Sequence, residues 1–147
     1  MLLEMEKSMA KCEARYEGIL SPMAFLREPS FGMLEYLSSA SRRGVKVRAI
    51  TEVVPESLES VRRYSRLFPI RLHEGVSQGM RFSILDRSKI MLALTEAPTS
   101  PEQSSCLCST IPTLAKGLGL HFERMWTESR SVAAPVRRAT DRSVGIR

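Results

Sequence analysis

Val45-Lys-Val-Arg-Ala-Ile-Thr-Glu-Val-Val54 is the clearest β-strand of this 147-residue sequence. Its first residues alternate between apolar and basic side chains, and the run is rich in the β-branched residues that strands favour. A helical pattern ends just before it at Gly44, and Pro55 opens a second helical pattern just after it. A strand that lies between two helices in this way indicates an α/β domain.

Hydrophobic spacing predicts the elements on either side of this strand. Apolar residues three or four apart predict four helices, over residues 2–15, 30–43, 55–68 and 111–126. Short alternating or β-branched runs predict further strands, over residues 16–20, 70–73, 80–85, 90–94 and 104–109. Residues 95–105 are predicted to form a loop. With the short strand at residues 104–109 left out, the order is α-β-α-β-α-β-β-β-α, which predicts an α/β sandwich with a mixed central sheet flanked by helices.

Size and composition indicate one folded domain. The chain is long enough for a single core, and 43% hydrophobic with 26% charged residues excludes a wholly disordered protein. We divide it into an N-terminal helix for linking or dimerisation at residues 1–15, the α/β domain at residues 16–130 and a basic, flexible tail at residues 131–147. The formal net charge is +6, and the residues from Thr127 onward carry half of it. A solvated tail is favoured over contact with nucleic acid or anionic lipid. The rest of the chain is close to balanced in charge.

Two groups of residues are weighed as chemical sites and set aside. Cys106-Leu-Cys108 with His121 offers three ligands without a matching second pair, so two buried hydrophobic cysteines are expected rather than a metal site. His73 is expected to be a hydrogen-bonded residue at the end of a strand, because no nucleophile motif accompanies it. We predict no metal and no cofactor. The sequence shows neither a signal peptide nor an apolar run of membrane-spanning length, which predicts a cytoplasmic protein without membrane contact.

The segment Gly79-Met-Arg-Phe-Ser-Ile-Leu-Asp86 places a cation and a carboxylate on either side of an apolar strand. Arg81 and Asp86 are either surface residues or two sides of one site. Together with Ser41-Arg-Arg-Gly-Val-Lys-Val-Arg-Ala-Ile50, this segment resembles the phospholipase D-like fold. The resemblance lays the family's H-x-K-x4-D motif on Gly79, Arg81 and Asp86. It implies that the histidine nucleophile is missing, and hence that the chain is not an enzyme.

A closer resemblance is to catalytically inactive phospholipase D-like sensor modules, found in archaeal signal-transduction histidine kinases and in TrmB-type transcriptional regulators. It spans residues 16–138 and rests on the order of five segments and of Ala134-Pro135. The segments are residues 44–52, 56–60, 70–75, 81–86 and 122–126. It implies a non-catalytic regulatory or sensor domain, acting in signal transduction or transcription control, that binds a small anionic ligand or a protein partner.

The same resemblance implies partners and binding residues. A chain with one motif needs a second copy to complete the cleft, which implies a homodimer, and the output domain or signalling protein lies on another polypeptide. The candidate ligand-binding residues are Arg81, Asp86, Arg48, Glu52 and His73. Two alternatives remain open: a divergent phosphodiesterase or nuclease of the phospholipase D superfamily, and a nucleic-acid-binding module that uses the arginine-rich tail.

Overall fold

The structure is a computed structural model that describes residues 2–26, 32–94 and 106–132. Within these ranges the helices are α1 (Leu2–Lys11), α2 (Met23–Leu26), α3 (Met33–Arg42), α4 (Leu58–Ser65) and α5 (Pro112–Glu128). The strands are β1 (Arg15–Ile19), β2 (Lys46–Thr51), β3 (Ile70–Leu72), β4 (Phe82–Leu85), β5 (Lys89–Ala93), β6 (Cys106–Ser109) and β7 (Arg130–Ser131). Two short 3₁₀ turns, Pro55–Ser57 and Val76–Gln78, precede α4 and β4.

All seven strands belong to one mixed sheet, in the order β6-β5-β4-β1-β2-β3-β7. β1, β2 and β3 run parallel, and the other neighbouring pairs are antiparallel. β1 lies at the centre, where Gly18 is paired with Ala49 of β2 on one side and with Ser83 of β4 on the other. The predicted α/β sandwich with a mixed central sheet is thereby confirmed.

Alternating side chains of the central strands build a core on each face of the sheet. One core contains Tyr16 and Val47 and is covered by residues of α1, α3 and α4. The other contains Ile19 and Ile50 and is covered by α5, which buries Phe122 completely. The period of two along β1 and β2 therefore decides which side chains meet α5.

Three boundaries differ from the sequence-based expectation. The first helix ends at Lys11 rather than at residue 15, because the backbone amides of residues 13–15 bind the carboxylate of Asp86 instead of continuing the helical ladder. α3 begins after Gly32, whose φ of 71° favours glycine, while the expected cap at Ser30 lies outside the described residues. β7 pairs Ser131 with Arg71 of β3, so the sheet crosses the boundary expected between residues 130 and 131.

Several expectations fall on residues outside the described ranges, namely the loop at residues 95–105 and the tail beyond Val132. Within the described ranges, no helix combines the length and the apolar character needed to cross a membrane. The N-terminal helix α1 packs against α3, and Met9 and Cys12 belong to the same core as Tyr16. The division of the chain into linker, domain and tail stays a prediction.

Candidate functional site

An ion cluster connects α5 to the centre of the sheet, with Glu17 buried and Glu123 exposed. Arg48 of β2 donates hydrogen bonds to Glu17 of β1, at 3.2 Å, and to both carboxylate oxygens of Glu123 on α5. Arg15 also pairs with Glu17, at 3.1 Å. The guanidinium of Arg48 lies 5.1 Å from the ring centroid of Trp126, within cation–π distance. Arg48 therefore fastens α5 to the sheet and is not brought together with Glu52 in an open site.

The electrostatics of this cluster follow from those contacts. The hydrogen bond from Arg48 holds the pKa of Glu123 below its usual value, against the opposing effect of burial, and the charges of Arg15 and Arg87 act in the same direction. The hydrogen bond to Glu123 is also the main reason that the pKa of Arg48 is raised. Arg48 and Glu123 therefore both stay charged near neutral pH.

Asp86 has a structural role at the end of α1. It follows β4 with a φ of 52°, and its carboxylate accepts hydrogen bonds from the backbone amides of Glu13 at 3.0 Å, Ala14 at 2.7 Å and Arg15 at 2.9 Å. Arg81 precedes the opposite end of the same strand. The expected arrangement in which Arg81 faces Asp86 across a cleft is therefore wrong, because the two residues lie at opposite ends of β4.

The remaining candidates, Arg81, Glu52 and His73, lie at the edge where β1, β2 and β3 end. Glu52 accepts a hydrogen bond from the backbone amide of Ser77, at 3.0 Å. Arg81 is partly buried, and its carbonyl oxygen accepts a hydrogen bond from the amide of Ala93, at 2.9 Å. The structure thus brings these three residues to the same end of the sheet, where the carboxylate of Glu52 is already bound to the backbone amide of Ser77.

His73 is held by hydrogen bonds on both ring nitrogens. Nδ1 accepts from the amide of Gly75 at 2.9 Å, so the proton of the neutral ring is on Nε2, which lies 3.0 Å from the carboxylate of Glu128. The expectation of a hydrogen-bonded residue at the end of a strand agrees with these contacts. With both nitrogens occupied, His73 has no free lone pair to act as a base on a bound ligand.

The opposite end of the sheet, where β1 and β2 begin, carries a basic surface that the sequence analysis did not identify. We define the basic rim as five exposed cations at this edge: Lys11, Arg42, Arg43, Lys46 and Arg87. They come from the ends of α1 and α3, the start of β2 and the turn between β4 and β5. Glu13 is an exposed acid beside them, and the carboxylate of Glu123, 53% exposed, lies near enough to Arg87 to respond to its charge.

The local folding of the rim explains its position. Arg43 donates to the carbonyl oxygens of Met9, at 3.0 Å, and Cys12, at 3.2 Å, just after α1 ends, where Met9 also accepts a hydrogen bond from the amide of Cys12. The carboxylate of Asp86, another acid near the rim, accepts hydrogen bonds from three backbone amides. Four separate segments contribute to this surface. The available sequence signal was the location of each cation at the end of an element, and only the topology shows that these ends coincide.

The cysteines and His121 do not form a common site. Cys106 is half-buried beside the core of Tyr16, and Cys108 is exposed on the same face of β6, with the two sulfurs 3.6 Å apart. The expectation of two buried cysteines is therefore wrong, because β6 lies at the margin of the described sheet. His121 lies on the other face, with its ring centroid 6.1 Å from that of Phe82. In the part of the chain that the structure describes, no group of three or more His, Cys, Asp or Glu side chains is arranged to hold a metal ion.

Comparison with known proteins finds likeness in structure rather than in sequence. No protein-family model matches the chain, and no curated protein matches it. Nuc from Salmonella typhimurium, a phospholipase D family member, superposes with a TM-score of 0.72 at 14% identity, over 88% of this chain and 88% of Nuc. NucT from Helicobacter pylori superposes with a TM-score of 0.70 at 12% identity, over 88% of this chain and 89% of NucT.

A third solved structure is TrmBL2, an archaeal chromatin protein described as having a novel mode of DNA binding. It superposes with a TM-score of 0.67 at 11% identity, over 88% of this chain and 49% of TrmBL2. The chain therefore corresponds to about half the length of that protein. The three superpositions confirm the phospholipase D-like fold that the sequence resemblance implied.

These likenesses correct one prediction and leave others without support. The prediction that the chain is not an enzyme is contradicted, because Nuc belongs to a family named for an enzyme. That prediction rested on Gly79, which stands at the position of the motif histidine. The sensor role, the link to histidine kinases and the homodimer with its signalling partner receive no support from these structures and stay predictions.

Proposed function

We propose that this protein binds the phosphate backbone of nucleic acid through the basic rim. The observation that carries the proposal is the charge at that edge, where five exposed cations stand beside the exposed carboxylate of Glu13. Contacts between Lys or Arg and phosphate oxygens supply most of the affinity in sequence-independent binding to DNA. A surface with these cations and few acids attracts that kind of polyanion.

The two ends of the sheet differ in charge, and this difference indicates at which end phosphate would bind. Glu52, Glu74 and Glu128 lie where the parallel strands end, and Glu74 pairs with Arg130 there at 3.2 Å. At the rim, by contrast, Asp86 is held by backbone amides, and the cations are not matched by an equal number of acids within the described residues. We therefore place the phosphate contacts at the rim. The DNA-binding description of TrmBL2, which shares this fold, supports the same class of ligand.

Binding of a fluorescent DNA duplex to the full chain, measured by anisotropy over a series of salt concentrations, tests this assignment. The double variant Lys46→Gln/Arg87→Gln removes two rim cations. It leaves in place Arg43, whose side chain donates hydrogen bonds to backbone carbonyl oxygens. We expect weaker binding and a salt dependence whose log–log slope falls by about one unit for each cation that contacts phosphate. Glutamine is chosen at residue 87 because it keeps a long, unbranched side chain at a φ of 58°. Glycine would relieve the backbone strain there and a β-branched residue would increase it, which would change the stability as well as the charge.

Two matched controls separate the rim from other basic regions. Arg62→Gln/Arg66→Gln removes two exposed cations from the end of α4, and Arg137→Gln/Arg138→Gln removes two arginines from the predicted tail. Both controls should keep the slope of the unchanged chain. A slope that falls only in the tail variant would move the contact to the tail. Equal losses in all three variants would reduce the interaction to net charge and contradict the proposal.

Hydrolysis of a phosphodiester is a second candidate, favoured by the likeness to Nuc and by the position of Arg81. The resemblance lays the family's motif lysine on Arg81, a permanent cation at the edge opposite the rim. Hydrolysis of bis(p-nitrophenyl) phosphate by the purified full chain tests it. Turnover that persists through purification and disappears in Arg81→Ala supports catalysis at this edge, whereas identical turnover in Arg81→Ala assigns it to a contaminant.

A complementary variant, Gly79→His, restores the residue type of the motif. A Cβ atom at residue 79 would have the carbonyl oxygen of Gly75 as its nearest neighbour, at 3.4 Å, which is an ordinary contact. The Cβ atom of a histidine at residue 79 therefore fits without a steric clash. If the edge is a hydrolytic site, Gly79→His should raise turnover, and the double variant with Arg81→Ala should lose that gain.

A further inference from the structure

The exposed edge strand β6 holds two thiols at contact distance. Cys106 and Cys108 are two residues apart in an extended strand, so their side chains project from the same face, and their sulfurs lie 3.6 Å apart. Cys108 is exposed and Cys106 is half-buried. Among the described residues, β6 is the last strand in the order of the sheet and pairs only with β5. A reagent in solution therefore reaches Cys108 directly, and Cys106 stands beside it.

We propose that Cys106 and Cys108 form a dithiol site that reacts reversibly with small-molecule disulfides such as oxidised glutathione. The thiolate of Cys108 attacks one sulfur of the disulfide, which releases one glutathione thiol and leaves glutathione joined to Cys108. The thiolate of Cys106 then attacks the Cys108 sulfur and releases the second glutathione thiol. Two protein thiols are oxidised to one disulfide, and one glutathione disulfide is reduced to two thiols.

The strand geometry explains why the product should be easily reduced again. A disulfide needs its sulfurs about 2.0 Å apart and its Cα atoms within about 6.8 Å. Residues i and i+2 of an extended strand lie about 6.6 Å apart, near that upper limit. Closure therefore strains the strand, and strained, exposed disulfides are the labile ones. An edge strand with one neighbour tolerates this local distortion better than a central strand.

Cys12, the third cysteine, serves as an internal reference. It is 3% exposed, and burial together with the nearby carboxylate of Asp86 raises the pKa of its thiol to about 12. Because the thiolate is the reactive form, Cys12 should stay reduced in the folded protein under the same conditions. Oxidation of the pair should therefore remove two of the three thiols and no more.

The test exposes the native full-length protein to oxidised glutathione and follows thiol content and intact mass. We expect loss of two of three titratable thiols, a mass lower by about 2 Da because two hydrogens leave, and full recovery with dithiothreitol. Peptide mapping should find the disulfide within residues 106–108. Cys106→Ser should instead keep one glutathione on Cys108, since no second thiol displaces it, and Cys12→Ser should behave as the unchanged chain.

Two results would overturn the proposal. One is a stable glutathione adduct on the unchanged protein, which would show that Cys106 does not attack the mixed disulfide. The other is the loss of thiols only under denaturing conditions. Circular dichroism of each serine variant checks that it is folded, and if Cys106→Ser is not, Cys108→Ser provides the same comparison through the remaining thiol.

Discussion

Asp86 combines an unusual backbone conformation with three backbone contacts. Its φ of 52° turns the chain out of β4, and its carboxylate accepts hydrogen bonds from the amides of residues 13–15. Burial raises the pKa of this carboxyl, but the three amide donors outweigh burial and hold the pKa below its usual value. The ionised carboxylate therefore stabilises the junction between α1 and β1 as well as the turn after β4.

We expect Asp86→Asn to lower the free energy of unfolding at pH 7 by about 1–3 kcal/mol, the usual range for losing hydrogen bonds to a charged group. Asparagine suits this variant because it tolerates a positive φ. The folded pKa is lowered, so the contribution of Asp86 is complete above its unfolded pKa of about 3.9 and is lost as the pH falls through the folded value. Urea unfolding at pH 7 and pH 3 measures both.

The difference between the two proteins should therefore shrink toward zero in acid. A difference of the same size at both pH values would contradict the assigned role of the ionised form. Asp86→Ala is the less informative variant, because alanine adds backbone strain at a φ of 52° to the loss of the hydrogen bonds.

Arg48 carries the second prediction at this scale. Arg48→Met removes the cation between Glu17 and Glu123, and the side chain of Glu17 is only 6% exposed. We expect a loss of about 2–4 kcal/mol in urea unfolding, because a buried carboxylate is left with fewer partners. Arg48→Lys should recover part of it, since lysine lacks the guanidinium fork.

A double variant distinguishes the ion cluster from simple packing. Glu17→Gln combined with Arg48→Met should cost less than the sum of the single changes, because no buried charge is then left unpaired. Additive losses would show that Arg48 acts through its contacts with the rings of Phe122 and Trp126. Arg62→Met is the matched control, since its exposed pair with Glu59 should contribute under about 0.5 kcal/mol.

At the scale of an element, α5 is held by one apolar stripe and a few polar contacts. Phe122 is fully buried, Trp126 is partly buried and stacked on it with ring centroids 5.8 Å apart, and Leu120 is 66% exposed. We expect losses on replacement by alanine of about 3–5 kcal/mol for Phe122, less for Trp126 and under about 0.5 kcal/mol for Leu120. Thermal or urea unfolding of the three variants gives the order, and a large loss at Leu120 would contradict this placement of the helix.

Gly18 of β1 makes room for an aromatic side chain of the same strand. A Cβ atom at residue 18 would lie 2.7 Å and 2.8 Å from two ring carbons of Tyr16, which is fully buried and shares a 2.6 Å hydrogen bond with Ser83. We expect Gly18→Ala to cost about 2–3 kcal/mol, because the ring cannot move without breaking these contacts.

Two comparisons check that explanation by urea unfolding. Gly119→Ala, in α5, meets no atom within 4 Å of the added Cβ and should stabilise the protein by about 0.5–1 kcal/mol. In a Tyr16→Leu background the cost of Gly18→Ala should fall, since the ring is gone. An unchanged cost in that background would assign the effect to the backbone of β1.

The helices and strands were predictable because their signals are local. The periods of β2, α4 and α5 gave their positions to within a few residues, and the motif resemblance gave the fold. The two residues of β7 were missed because pairing with β3, rather than their own sequence, makes them a strand. The separation of Arg81 from Asp86 and the assembly of the basic rim depend on topology. No pattern in one segment could have shown them.

For the whole molecule, Cys12 offers a measure of global opening. It lies in the core beside Tyr16, and burial raises the pKa of its thiol to about 12. In a Cys106→Ser/Cys108→Ser background, we expect Cys12 to react with a thiol reagent about a thousandfold more slowly in the native protein than in urea. Labelling within seconds in the native protein would show that α1 detaches locally, without unfolding of the sheet.

The central position of β1 has a consequence for the time course of synthesis. One of its neighbours, β4, consists of residues 82–85, more than sixty positions later in the chain. At about 5–20 residues per second, β1 leaves the ribosome several seconds before β4 exists. During that interval the side of β1 that later pairs with β4 has no partner, and unpaired strand edges are prone to aggregation. Sheets closed by such distant segments also fold slowly, so refolding in vitro should wait on the arrival of β4 rather than on the helices.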